Sequence, residues 1–502
     1  MKTDILIGVD MGSTGLKALA FECGSGATLA SAGGALPYAR LPGGGCELAE
    51  ADIQQALLQA LRSVAQELGP RAKAVRAIGC TGHGAGLYAL DDKGRLLRGV
   101  AVASTDQRAA ARARALAATC GEALFQELGC GPWAGQPSMI AAELIERGEF
   151  RREHIRQLVF AKDFLGLLLC GELVSDASDA STAGLLALDG SGWSHAALEA
   201  AGLGDLAAAL PPLRPSDSVR GRLRTEVAAD CGLPAGVPVA VGAIDLLASL
   251  QAVGAQARGE AVAVMGTWCV NAVMGPAVQP LPRLGALVHH GDPGRRLYLE
   301  NSPSSMANLG WLMRQLQFAS AAAALDAAFA LPLGAEGLRF LPFINGGGDP
   351  AGASAGFVGL QNYHGRAHMA RAVVDAVMAL HARHLKRLAA CGLGLPDLAA
   401  ALGGGARDVR MVQLLADFLG HPVERCGDDE TGARGAALDA ARALGWADAL
   451  PGLDHPGLLP VHCTRVAPRP AEAAAHANFL AGFERLLRAA GPLFTHLAGT
   501  AQ

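Results

Sequence analysis

The sequence predicts an α/β fold arranged as two similar domains, and three observations carry that expectation. Short apolar runs alternate with helical patterns along most of the chain. At 502 residues the chain exceeds what one ordinary core can fill. An outline of apolar strand, glycine-bearing polar turn and second apolar strand opens the chain as ILIGVDMGSTGLKALAFE (5–22) and returns midway as GEAVAVMGTWCVNAVM (259–274). No short-period repeat competes with this two-part pattern.

The elements follow in order. DIQQALLQALRSVAQEL reads as a helix with Ile53, Leu57, Leu58, Leu61 and Val64 on one face. AVRAIGC and VPVAVGA read as strands. ENSPSSMANLGWLMRQL reads as a helix with Ser302 as N-cap and Pro303 in its first turn, turning Met306, Leu309, Met313 and Leu316 inward. LGGGARDVRMVQLLADFLG and DDETGARGAALDAARALG each place a glycine-bearing turn before a helix. The expected domains are 1–248 and 249–450, followed by a proline-rich tail, 451–502, with a final helix from Ala471 to Leu487.

Composition excludes several classes of function. With 42 basic and 46 acidic residues, net −4, no charge excess draws the chain to nucleic acid or to an anionic membrane. The eleven cysteines are scattered, with no Cys-x-x-Cys pair, so neither a disulfide framework nor a zinc site is expected and a reducing cytoplasm fits. The start, MKTDILIGVD, does not read as a signal peptide. The uncharged stretch Ala261 to Pro282 holds Asn271, Gln279 and prolines and reads as a hairpin plus loop, not a membrane span.

The turns carry more chemistry than a hairpin needs. Asp10 ends an apolar strand and passes into Gly12, Ser13 and Thr14, a combination suited to a metal-bound polyphosphate: a glycine for close approach, successive N–H groups as an anion nest and hydroxyl donors. Asp10 is the candidate Mg²⁺ carboxylate and Lys17 the nearby cation. A decorated hairpin is the plain alternative. Gly266 and Thr267 form the matching second turn, which taken by itself reads as a plain turn with one aromatic behind it, and Gly403 to Gly405, followed by Asp408, form either a plain glycine-rich loop or a place for a flat ring or ribose against backbone. Asp245 lies between a strand end and a helix, where a carboxylate either caps the helix or serves as general base for a substrate hydroxyl. His83 on a glycine-flanked turn, with Asp106 and Arg108 before a helix, suits a polyhydroxylated ligand; taken singly, a solvated turn and an N-cap are the more common readings. The pairs His364/His368 and His381/His384 have ligand-like spacing but no third partner, so metal is not expected there.

In this order the segments GVDMGSTGLK, KDFLGLLLCGELVSDASDAS, VGAIDLLAS, MGTW, FLPFINGGG, GFVGLQNYHGRAHMARAV and LGGGARDVRMVQLLADFLGHPVE resemble the FGGY family of carbohydrate kinases, within the actin, hexokinase and heat-shock ATPase superfamily. The resemblance implies two ribonuclease-H-like domains with sugar bound in an interdomain cleft that closes, ATP and Mg²⁺ as co-substrate and metal, and often a homodimer. It assigns Asp10 to Mg²⁺, Gly12, Ser13 and Thr14 to one phosphate loop, Gly266 and Thr267 to the other, and Gly404 and Gly405 to adenosine. Asp245 becomes the catalytic base, and His83, Asp106 and Arg108 fall in sugar-contacting segments. Trp268 stands where the family more often has Ser, and Asp408 where it has Ser or Asn. TGHGAGLYALD, GTWCVN and ENSPSSMANLGW are closer to the branch of L-xylulose/3-keto-L-gulonate and erythritol kinases than to glycerol or D-xylulose kinases. The implied activity is phosphorylation of a ketopentose, such as L-xylulose, or a related keto sugar or polyol; a non-catalytic ATP and sugar sensor on the same fold is the alternative.

Overall fold

The opening hairpin sets the architecture. In a computed structural model, which describes residues 4–255, 261–276, 287–289, 294–347, 350, 352–393, 399–426, 430–446, 449 and 457–500, strand Ile5–Met11 pairs antiparallel with Gly15–Glu22 and parallel with Val75–Gly82. Val75–Gly82 is in turn parallel to Pro238–Ala240, and Val219–Arg222 closes that edge antiparallel. The strand Thr28–Ala35 forms the other edge. Ile5, Ile7, Val9 and Met11 pack on one face of the sheet with Ile53, Leu57, Leu61 and Val64 of the helix Glu50–Leu68, as the helical periodicity requires.

The second sheet repeats this pattern. Ala261–Met265 pairs antiparallel with Cys269–Pro276 and parallel with Ala399–Leu402. Ala399–Leu402 is parallel to Val423–Cys426, and Cys463–Val466 closes that edge antiparallel. Arg295–Ser302 takes the place that Thr28–Ala35 has in the first sheet. The sequence repeat at 5–22 and 259–274 thus corresponds to a repeat of strand order.

The chain divides into two compact units whose boundaries differ from the expected 1–248, 249–450 and 451–502. One comprises Met1–Arg258, Gly275–Leu297 and Glu430–Val461; the other Gly259–Met274, Tyr298–Asp429 and His462–Gln502. The reason for the late return is steric. Helix Thr431–Ala443 lies directly on the first sheet, where Gly8 and Gly79 offer flat backbone: a Cβ at Gly8 would fall 1.7 Å from the Ala433 carbonyl oxygen, and one at Gly79 1.8 Å from that of Ala436. Gly435 makes the reciprocal approach to Ala248 in helix Asp245–Ala252.

Three expectations are corrected. Ser302 ends a strand instead of capping a helix; the helix runs Met306–Gln315 after Ser305. The Ser-Pro signal is overridden because Ser305 N–H and Met306 N–H donate to the carbonyls of Thr267 and Gly266, which hold the chain extended up to that point. Cys426 and Cys463, read as unpaired thiols, are disulfide-bonded as directly opposed residues of adjacent antiparallel strands. The final helix is longer than expected, Ala473–Thr500, with Pro492 inside it. Among the described residues no helix is long and apolar enough to cross a membrane. Residues 261–265 and 269–276 form the expected hairpin, while 277–282 lie outside the described residues.

Candidate functional site

In the first unit three carboxylates gather where strands end and helices begin. Asp10 lies next to last in its strand, directly opposite Lys17 in the hairpin register. Its Oδ1 is buried without a hydrogen-bond partner. Burial, then the neighbouring Asp245 and Glu430, push its carboxyl up to about 8, while Lys17 pulls the other way. Lys17 Nζ is 2.5 Å from Glu430 Oε1, so one lysine faces a surplus of carboxylates.

Asp245 is the first residue of helix Asp245–Ala252, and its Oδ1 accepts a 2.7 Å hydrogen bond from Leu246 N–H. Burial pushes it up to about 7, against that hydrogen bond. A carboxyl with that value changes protonation near neutrality, as a general base requires.

The second functional helix also begins here. Thr431–Ala443 brings its first turn against Asp10, and a Cβ at Gly432 would sit 2.3 Å from Asp10 Oδ2. Helix N-termini favour negative charge. Gly432 and Glu430 were missed in the sequence; DDETGARGAA showed a turn before a helix, but nothing local connects it to Asp10, some 420 positions earlier.

The Gly12–Thr14 turn has no steric need for glycine from the protein itself: a Cβ at Gly12 would meet only Gly15 O, at 3.8 Å. Space is therefore left on its outer side, where Thr14 is exposed and Ser13 half-buried. An open cavity of about 600 Å³ runs beside the turn, lined by Thr14, Gly15, Lys17, Gly33, Gly34 and Glu430 among others.

His83 follows strand Val75–Gly82; its N–H donates to Met11 O, and its Nε2 is 3.3 Å from Tyr88 Oη. Its Nδ1 is buried without a partner, and burial pushes the imidazole down to about 4, so it is neutral near pH 7. Asp106 and Arg108 are held by each other. Arg108 Nη2 is 2.8 Å from Asp106 Oδ2, Arg108 Nη1 is 2.9 Å from Glu47, and Asp106 also accepts from Cys46 N–H at 2.8 Å. Both side chains are buried and engaged in tying the Gly45–Ala49 strand to this loop, a role the sequence did not disclose.

In the second unit Gly266 and Thr267 form the turn between Ala261–Met265 and Cys269–Pro276. Gly404 begins a 3₁₀ turn and is open, with nothing within 4 Å of a Cβ, whereas Gly405 is demanded by packing, its Cβ falling 2.7 Å from Met265 Cβ. Asp408 is engaged within its own helix: it caps Val409–Leu419 through Arg410 N–H and grips the Arg410 guanidinium at 2.6 Å. The cause of its place at the turn is therefore capping.

His381 and His384 are held in a chain of hydrogen bonds. Ser305 Oγ is 3.0 Å from His381 Nε2, His381 Nδ1 is 2.9 Å from Asn271 Oδ1, and Asn271 Nδ2 is 3.0 Å from His384 Nδ1. Burial lowers the pKa of both rings, His381 to about 3. This chain links the helix Arg366–Leu388 to Ser305, whose N–H holds Thr267. His368 caps its helix through Gly365 N–H, and His364 accepts from Gln361 N–H.

Comparison with known proteins gives two family matches: the N-terminal domain of the FGGY family of carbohydrate kinases over residues 5–252 and its C-terminal domain over 261–444. The L-xylulose/3-keto-L-gulonate kinase of Escherichia coli is 29% identical over 81% of this chain and 82% of its own. The xylulose kinase of the same organism is 30% identical over 73% and 75%. Among solved structures, a ligand-bound xylulose kinase from Lactobacillus acidophilus superposes with a TM-score of 0.86 over 98% of this chain and 100% of its own, at 21% identity, a likeness of fold.

Proposed function

The chain belongs to the FGGY family of carbohydrate kinases and is a sugar phosphotransferase using ATP, and we propose that its acceptor is a ketopentose or a related keto sugar or polyol, with Asp245 as the general base. The observation that carries this reading is the Asp245 carboxyl, poised near 7 at a helix start in the same unit as the Asp10 hairpin. The sugar hydroxyl oxygen forms a bond to the γ-phosphorus as the bond to the ADP oxygen breaks, and the hydroxyl proton passes to Asp245. His83, neutral and with an unpartnered Nδ1, offers a hydrogen bond to a sugar hydroxyl.

The donor set fits a hard divalent cation: an orphaned buried oxygen on Asp10, with Asp245 and Glu430 raising the local negative potential. Asp10 would hold Mg²⁺, which when bound supplies charge neutralisation on the phosphates. The chain's own groups do the rest. Lys17 and the Gly12–Thr14 N–H groups are assigned to phosphate oxygens, as are Gly266 and Thr267 of the second unit, and the open Gly404 edge, beside the packed Gly405, to adenosine. Asp106 and Arg108 are assigned to shaping the sugar segment through their mutual pairing.

The substrate class follows the names of the two relatives, an L-xylulose/3-keto-L-gulonate kinase and a xylulose kinase. The test is ADP release with Mg²⁺-ATP across L-xylulose, D-xylulose, the ribuloses, 3-keto-L-gulonate, erythritol and glycerol. Turnover on a keto sugar or polyol supports the proposal. Thermal stabilisation by one of these sugars without ADP release overturns it in favour of a sensor.

A further inference from the structure

The segment KDFLGLLLCGELVSDASDAS (162–181) has no part in the chemistry above, yet it buries an unusual set of charges. Lys162 Nζ lies 2.7 Å from Asp163 Oδ1, 3.0 Å from Asp176 Oδ1 and 3.6 Å from Asp179 Oδ2, and Arg220 Nη2 lies 2.9 Å from Asp163 Oδ1. All five side chains are buried. Burying such a cluster costs desolvation energy that its attractions at best recover, so stability alone does not account for it. What it does provide is fixed geometry.

That geometry leads to Asp245. Asp176 Oδ2 accepts the Ser178 hydroxyl at 2.6 Å, which commits the hydroxyl proton and leaves a lone pair on Ser178 Oγ. Ile244 N–H donates to that oxygen at 3.0 Å, and Ile244 immediately precedes Asp245. The strand before it has already turned away at Gly242, φ +78°, where a Cβ would strike Cys80 O at 1.9 Å. The Ala243 peptide is held from two other elements, Thr81 Oγ1 donating to its carbonyl at 2.6 Å and Asp439 Oδ2 accepting its N–H at 3.0 Å. Of these three holds the Ser178 contact is nearest in sequence to the carboxylate, and it alone is anchored in the ion cluster.

We infer that Ser178, oriented by Asp176 and Lys162, is a positioning residue that fixes the start of the Asp245 helix, and with it the direction in which the Asp245 carboxylate meets the substrate hydroxyl. The inference rests on Asp245 being the base. A side chain displaced by about 1 Å from productive geometry loses on the order of 10²-fold in rate while leaving binding largely intact. A serine that merely fills space would show no such split.

The test compares full-length wild-type, Ser178→Ala, Ser178→Thr, Ser175→Ala and Asp245→Asn proteins with Mg²⁺-ATP and the best sugar of the panel. Ser175 is the control, a neighbouring buried hydroxyl without a hydrogen-bond partner. Ser178→Ala is expected to lower kcat about 10- to 100-fold with both KM values within about threefold. Ser178→Thr, which keeps the hydroxyl, is expected to restore most of kcat, and Ser175→Ala to stay within about twofold of wild type. If Ser178→Ala does not fold, Ser178→Cys keeps a group at the γ position but accepts a hydrogen bond poorly and carries the same expectation. A kcat within twofold of wild type in the alanine or cysteine variant, or no recovery in the threonine variant, overturns the positioning role. Retained turnover in Asp245→Asn instead removes the base assignment beneath it.

Discussion

Gly432→Ala tests whether the helix start at Thr431–Ala443 shapes the Asp10 site. The added Cβ would lie 2.3 Å from Asp10 Oδ2 and 3.0 Å from Cγ, and ordinary contact begins near 3.4 Å, so the carboxylate must retreat by about 1 Å. Moving the helix is no cheaper, because Gly8 and Gly435 already place backbone against its neighbours at the limit of approach. Overpacking costs about 1–3 kcal/mol, while replacing a helical glycine returns about 0.5–1 kcal/mol, so global stability falls by only about 0–2.5 kcal/mol. Activity is more sensitive: a displacement of about 1 Å costs on the order of 10²-fold. The assay is sugar-dependent ADP release at several Mg²⁺ concentrations, with Tm measured on the same sample. A loss of at least tenfold with Tm within a few degrees of wild type is expected. Activity within twofold of wild type would refute the argument that this glycine exists to admit the Asp10 carboxylate.

Other outcomes follow from the same geometry. The pH profile of kcat/KM should rise through a limb near 7, because Asp245 must lose its proton to act as base; a flat profile between pH 6 and 8 would contradict this. Stability has the opposite trend. Asp10 and Asp245 are raised above the ordinary carboxyl value near 4, so the stability these two groups contribute to the ligand-free protein is fully present below that value and is lost as pH rises through 7 to 8. Tm should therefore fall from pH 7 to 8, above the range in which the buried His83, His381 and His384, all lowered by burial, act in the opposite sense, and it should fall less in Asp10→Asn. Arg108→Ala leaves Asp106 as a buried charge without its cation, while Glu47 keeps Arg98 at 3.2 Å, and should cost about 3–5 kcal/mol in denaturant unfolding. Reduction of Cys426–Cys463 opens a 37-residue loop and should destabilise the protein by up to about 4 kcal/mol, seen as a lower Tm with dithiothreitol.

The two hairpins were legible in the sequence because strand, turn and strand are adjacent and the pattern of side chains is local. Asp10, Lys17 and Thr267 stand where the sequence placed them, on the hairpin or at its turn. The return of residues 430–461 to the first unit was not legible, since what brings them back is a fit between Gly8 and Ala433 across more than 400 positions. The pairing of Arg108 was not legible, because Glu47, one of its partners, lies on a strand about 60 residues earlier. Ser302 carried a helix-capping signal, yet hydrogen bonds from Ser305 and Met306 to the Gly266–Thr267 turn decide where the helix starts. Cys426 and Cys463 become neighbours only when their strands pair. Local chemistry thus identified the turns, and long-range packing determined which charges are engaged.

The most direct test of the account is made on Asp245→Asn, measuring ATP affinity by titration calorimetry and sugar-dependent ADP release on the same preparation. The account requires an ATP Kd within about threefold of wild type and a loss of release of about 10²- to 10⁴-fold, the contribution of a positioned general base. Release within tenfold of wild type, with ATP still bound, would contradict it.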